Sequence, residues 1–262
     1  MSTSRLSTRL ASIPALALLV VLLLPLIGLT VSTSPAEILR ALWLPSTHVA
    51  LWLSAWTTTA ALLIVVALGT PLAWWLSRSR GPLAQAAEVV VELPVVLPPA
   101  VLGIALLETF GRQGLLGSAL ESIGVGLPFT PAAVVLAQVL VAAPLYVLTA
   151  SAAFRTVDDD LLLVARTLGV GPVRAWATIA LPMAFAGLLS GAALAWARAL
   201  GEFGATLMFA GNLPGTTQTL TLAIFQAMDH DLGQARAISL ILVAVAVVLL
   251  LCLRLLGARR WP

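Results

Sequence analysis

Lysine is absent from this chain: all 14 of its basic residues are arginine. A phosphate-binding loop of the form G-x-x-x-x-G-K-[ST] needs its lysine at the phosphates, so the chain cannot bind ATP in that way. A single cysteine, Cys252, lies in an apolar run. It excludes an intrachain disulfide and a cysteine-based metal cluster. The two histidines, His48 and His230, are far apart, lack ligand spacing and read as loop residues, so no metal site is expected. Serines, threonines and the 11 acids are scattered, with no nucleophile–base pair among them. Charge is scarce at 10% of residues, where soluble domains average about 25%. That scarcity argues against a water-soluble fold. The pI near 10.4 does not imply nucleic acid, because the arginines stand at the ends of apolar runs without interleaved aromatics.

What the chain has in abundance is apolar sequence: 60% of residues are hydrophobic and the mean hydropathy is +1.06. A membrane-spanning helix needs about 20 such residues. Six runs qualify: Ile13 to Val31, Leu51 to Leu76, Ala86 to Leu107, Pro131 to Phe154, about Ile179 to Leu200, and Ala235 to Leu256. The first follows Arg5 and Arg9, as a signal peptide would. Its apolar stretch exceeds the ~7–15 residues of a signal core, so it is read as a retained helix. Arginine placement sets the orientation. With the N-terminus in the cytoplasm, Arg5, Arg9, Arg78, Arg80, Arg155, Arg166, Arg174, Arg254, Arg259 and Arg260 fall inside, and Arg40, Arg112 and Arg236 outside. The expected architecture is all-α and polytopic, one domain over residues 1–262, with six spans and both termini cytoplasmic.

Three segments interrupt the apolar pattern. In "VVVELPVVLPPAVLG", Pro94, Pro98 and Pro99 each remove a backbone donor and are expected to kink or break the third span. Glu92 lies beside them, and two readings are open: an interfacial carboxylate next to a kink, or a helix lining a water-accessible path. In "RTVDDDLLLVARTLGVGPVRAWATIALP", Asp158 to Asp160 can cap a short helix starting near Leu161. Gly169 and Gly171 allow a sharp turn at positive φ, and Pro172 suits the first turn of a second short helix. In "WARALGEFGATLMFAGNLPGTT", Arg198 and Glu202 stand four residues apart on one helix face and can pair. Gly201 and Gly204 permit close helix approach. This pair is either a structural ion pair or part of a path or gate.

Gly169 is followed by nine residues and then Ile179, Ala180, Leu181 and Pro182. This spacing resembles the cytoplasmic loop of ABC importer permeases, E-A-A, three residues, G, nine residues, I-x-L-P. The E-A-A positions hold Leu163, Val164 and Ala165, so the acidic residue is missing. The blocks "ARALGEFGATLMFAG" and "TQTLTLAI", together with "LPVVLPPAVLG" and "FTPAAVVLAQVLVAAPLYV", resemble the permease subunits of molybdate and tungstate ABC importers, the ModB-like family, from about Leu51 to Leu251. Sulfate and thiosulfate permeases are the nearest competing resemblance. A passive channel or a membrane-embedded enzyme, with Glu92 and Glu202 as the available acids, are competitors of another class.

The resemblance implies a type I importer permease fold in the cell inner membrane, in contact with lipid, with no enzymatic activity and no nucleic-acid partner. It implies a homodimer, two copies of an ATP-binding subunit that uses ATP and Mg, and a periplasmic oxyanion-binding protein; no cofactor is expected on this chain. Leu163, Val164, Ala165, Arg166, Thr167, Leu168, Gly169, Val170, Gly171 and Arg174, within a loop of about 155–178, would form the coupling helix that docks into the ATPase. Glu92, Pro98, Pro99, Arg198, Glu202, Phe203, Thr206 and Asn212 are candidates for the translocation path or its gate.

Overall fold

The computed structural model describes residues 3–258, and the side chains of residues 14–252. Arg259 and Arg260 lie outside the described residues, as do the side chains of Arg5, Arg9 and Arg254. Among the described residues there is helix and no strand. The elements run α1 (Thr3–Val31), α2 (Pro35–Trp43), α3 (Pro45–Arg78), α4 (Pro82–Val96), α5 (Pro99–Phe110), α6 (Gly117–Ser122) and α7 (Pro131–Arg155). They continue with α8 (Asp159–Thr167), α9 (Pro172–Ala175), a π turn (Trp176–Ala180), α10 (Leu181–Leu200), α11 (Gly204–Ala210), α12 (Leu220–Met228) and α13 (Leu232–Ala258). Six of these helices open on a proline, where the missing N–H would have had no partner in any case.

Helices α1, α3, α7 and α13, and the run from α9 to α10, are each long and apolar enough to cross a membrane. The sixth expected span is broken. Helices α4 and α5 meet at 115° across Leu97 and Pro98. Pro94, expected to kink or break the span, instead lies inside α4, and the break falls only at the Pro98–Pro99 pair. Helix α4 is tied at its middle to the C-terminal end of α7, where Glu88 pairs with Arg155. Helix α5 packs at the other end of α7, with Leu102 and Leu106 against Ala133 and Val134. The bent pair packs on α7 and, counted together, gives a sixth candidate span.

The central packing unit is α3, α7 and α10, built around Val65, Ala73, Leu76, Tyr146, Phe154 and Ala184. Without water to expel between helices, association in lipid rests on close van der Waals contact, which small residues allow. Gly69 shows this: a Cβ there would stand 2.8 Å from Tyr146 Cδ1. At Gly187 a Cβ would collide with the Ala153 Cβ. The phenol of Tyr146, fully buried, shares a 2.6 Å hydrogen bond with Thr70 Oγ1. A second cluster joins α5, α7 and α11, and a third joins α2, α3, α12 and α13.

Helices α2, α6, α11 and α12 were not expected from the sequence. Helix α2 starts with a capping box, Ser34 accepting from the Glu37 backbone while Glu37 Oε2 accepts from the Ser34 N–H at 2.7 Å. Glu37 also reaches Arg236 on α13 at 3.2 Å. The second half of the 155–178 loop is the short helix α9, which is continuous with the span that follows. It runs through the π turn into α10, with the Leu181 N–H bonded to the Trp176 carbonyl.

Gly187→Val should force α10 off α7 and cost about 1–3 kcal/mol, seen as a lower unfolding midpoint of the detergent-solubilised chain. The bond from the Ser34 N–H holds the Glu37 carboxyl below its ordinary value of 4.5, with Arg236 adding to the effect. The stability from Glu37 is therefore complete above pH 4.5 and is lost as pH falls through the lower folded value. Glu37→Gln should flatten that acid limb in a series of thermal melts.

Candidate functional site

Two regions collect the candidate residues. The first is the end of the bundle that carries Arg78, Arg80, Arg155, Arg166 and Arg174. Helix α8 begins there on Asp158, whose side chain accepts from the Asp160 N–H at 2.9 Å. Acidic first-turn residues suit the positive end of a helix. The helix ends at Leu168, and Gly169 turns the chain at φ +84°, which explains why glycine stands there. Gly171, expected to share that conformation, has φ −64° and is extended. Only Gly169 makes the turn. Pro172 then opens α9 as expected.

The burial of this α8–α9 hairpin is one-sided. Val157, Ala165 and Ala175 are buried against the bundle. Leu161, Leu163, Val164, Leu168 and Val173 are exposed, Leu168 at 78% and Val173 at 77%. Arg166, Thr167 and Arg174 are exposed beside them, and Val170 is half-buried. An apolar ridge rimmed by two arginines, at an end rich in positive charge, suits a protein partner with an apolar groove and carboxylates at its edge.

The second region lies where α10 breaks. Its last turn ends at Gly201, and Glu202 is 1% exposed. One carboxylate oxygen accepts from Arg198 at 2.9 Å, and the other accepts from the Ala205 N–H at 2.7 Å, in the first turn of α11. The Glu202 carbonyl accepts from Thr221 Oγ1 at 2.7 Å. The carboxylate thus neutralises Arg198 and satisfies a helix-end donor that the break would otherwise strand. Phe203 packs on Phe225 with ring centroids 5.1 Å apart.

Pro99 and α11 meet directly. A Cβ at Gly204 would stand 2.9 Å from Pro99 Cβ, and one at Gly103 would stand 2.6 Å from Met208 Cβ. The α4–α5 break therefore touches the turn between α10 and α11, which brings Pro98, Pro99, Glu202 and Phe203 into one neighbourhood. Asn212 is displaced from it. Its Oδ1 accepts from Gln218 Nε2 at 3.0 Å, and Gln218 also bonds Gln226, in an amide chain beyond α11. Thr206 is fully buried and its hydroxyl has no partner. Glu92 is exposed on α4.

Sequence reasoning missed several residues here. Ser54, buried in α3, accepts from the Leu220 N–H at 2.8 Å and fixes the start of α12. Gln138 is buried on α7 with its carbonyl oxygen unpartnered. A polar side chain inside an apolar run is the signal that would have found both. Among the described residues, no group of three or more His, Cys, Asp or Glu side chains could hold a metal. A cavity of about 630 Å³ opens between α3, α7 and α10, lined by Val66, Thr70, Tyr146, Leu181 and Met183 among others. None of the candidate path residues lines it.

The family model described as "Binding-protein-dependent transport system inner membrane component" matches residues 66–260. The molybdenum transport system permease protein ModB of Mycobacterium tuberculosis is 44% identical over 239 residues, 91% of this chain and 90% of that protein. The probable transport system permease protein NifC of Clostridium pasteurianum is 39% identical over 237 residues, 90% and 83% of the two chains. A bacterial ABC transporter involved in the import of the acidic polysaccharide alginate has the same fold, with a TM-score of 0.78 over 99% of this chain and 98% of that one at 14% identity.

Glu202→Ala should leave Arg198 and the Ala205 N–H without an acceptor and cost about 1–3 kcal/mol. Glu202→Gln keeps an acceptor for one of them and should cost less. Thermal unfolding in detergent ranks the two.

Proposed function

This chain belongs to the binding-protein-dependent transport system inner-membrane components, and we propose that it is the permease of a molybdate importer driven by a separate ATPase. The observation that carries the substrate class is the 44% identity to a molybdenum transport permease across nine-tenths of both chains. The family places the protein in the inner membrane as a multi-pass transport subunit.

In this reading the arginine-rich end is cytoplasmic, as are both termini. The α8–α9 hairpin, Leu163 to Arg174, docks on an ATP-binding subunit. Its exposed Leu163, Val164, Leu168 and Val173 supply the apolar contact, and Arg166 and Arg174 supply charge. The family loop's acidic residue is replaced by Leu163, so the dock here leans on apolar burial more than on a carboxylate. Two copies of the chain, two ATP-binding subunits using ATP and Mg, and a periplasmic oxyanion-binding protein complete the importer.

A dianion needs a polar route, and the cavity of about 630 Å³ between α3, α7 and α10 is mostly apolar. The route therefore runs between two copies. Glu92 supports this: a charge exposed on a membrane-spanning helix is stable against protein or water, not against lipid. The faces of α4 and α5, with Pro98 and Pro99, then line the route, and the Arg198–Glu202 pair holds the α10–α11 break behind it. ATP binding draws the hairpins together and turns the route outward; hydrolysis resets it.

Co-purification tests the dock. With Leu163 and Leu168 both changed to Asp, the chain should no longer bring down its ATP-binding subunit, while the unaltered chain does. Retention of the subunit by the double variant would refute the assignment. Proteoliposomes supplied with binding protein and labelled molybdate, tungstate or sulfate should take up the first in an ATP-dependent manner. Uptake of sulfate alone would move the chain to the sulfate importers.

A further inference from the structure

The end of α3 carries a side chain that neither the docking hairpin nor the route has used. Arg78, the last residue of α3, reaches across to α7 and α8 at once. Its Nη1 donates to the Asp159 carboxylate, at the first residue of α8. Its Nη2 donates to the Phe154 carbonyl at 3.2 Å and the Val157 carbonyl at 2.9 Å, where α7 runs out. The guanidinium stacks over Trp74 at 4.7 Å, and Trp74 meets Phe154 edge-on at 5.2 Å. Arg78 is 22% exposed and Asp159 is 82% exposed.

Each contact has a separate physical role. Helix C-termini leave carbonyls without donors and carry partial negative charge, so a cation from another helix stabilises the end of α7. The planar fork lets one guanidinium hold two carbonyls and a carboxylate together, which a lysine ammonium does less well. Stacking on Trp74 fixes the fork in place. The three residues between α7 and α8, Thr156 to Asp158, are thus spanned by a side-chain strut from a third helix. Apart from this strut, α8 meets the bundle through buried Ala165 and half-buried Leu162.

We propose that Arg78 is a positioning residue that couples the docking hairpin to the spanning helices, with its bond to Asp159 passing hairpin motion into α3 and α7. This rests on the reading of α8–α9 as the ATPase dock. A displacement of the start of α8 pulls on Asp159, and Arg78 converts that pull into movement of the α3 and α7 ends together. Asp159 stands one turn before Leu163 on the same face of α8, so the strut adjoins the apolar ridge; docking uses Leu163 onward and transmission uses Asp159.

The test uses the whole complex of permease, ATP-binding subunit and binding protein in proteoliposomes, with Asp159→Asn as the chief variant. Asp158 caps α8, so the substitution leaves the cap in place. Asp159→Asn should assemble with the ATP-binding subunit and keep basal ATP hydrolysis within about twofold, while molybdate uptake per ATP falls about tenfold. Asp159→Glu should restore uptake, and Arg78→Gln should reproduce the defect if it folds. Uptake per ATP unchanged in Asp159→Asn overturns the proposal. Loss of assembly in that variant also overturns it, because Asp159 would then be a docking contact. Failure of the dock itself shows elsewhere: the Leu163 and Leu168 double variant would then assemble normally.

Discussion

Hydrocarbon offers backbone amides nothing to bond, and the architecture follows from that constraint. A helix satisfies its own interior but strands donors and acceptors at each end. Long spans keep those ends at the surface. At the α10–α11 turn, where Glu202 is buried, the missing partners come from specific side chains. Glu202 bonds the Ala205 N–H, Arg198 balances the carboxylate, and Thr221 reaches the Glu202 carbonyl. At the α4–α5 break the prolines remove donors outright, so fewer groups need partners. Charge inside this protein is accounted for by its helix ends before any substrate is considered.

The two ends of α7 have different tasks. At one, small residues bring α5 and α11 against it and hold the breaks in register, with Gly103 and Gly204 setting the distance. At the other, Arg78, Glu88, Arg155 and Asp159 tie α3, α4 and α8 to it through charge. Arg155 and Glu88 are partly exposed, so their pair adds little stability alone and acts as a locator. Apolar packing of α3, α7 and α10 joins the two ends.

Much of this was legible in the chain. Hydropathy and length located five long helices and the bent α4–α5 pair to within a few residues at most ends, because a bilayer demands a fixed apolar run. The sequence pattern around Gly169 marked the α8–α9 hairpin, and the four-residue interval marked Arg198 with Glu202. What was not legible depends on contacts distant in sequence or on elements too short to show a period. Three prolines in "ELPVVLPP" gave equal claims to the break, and packing against α11 decided for Pro98 and Pro99. Helices α11 and α12 are 7 and 9 residues long, below any length signal. Asn212 stood among the candidates for the path; only the fold places it in an amide chain with Gln218 and Gln226. Arg78 read as an orientation signal, and its partners lie about 80 positions downstream.

The π turn at Trp176–Ala180 gives the family spacing a geometric meaning. An α-helix advances about 100° per residue, so a single wide turn resets the azimuth of everything after it. The nine residues between Gly169 and Ile179 therefore fix an angle as well as a length. They determine which face of α10 looks toward α7 for a given orientation of the hairpin. One residue more or fewer in this stretch would leave both the hairpin and the span intact, yet turn them out of phase like a key cut correctly on a twisted shank.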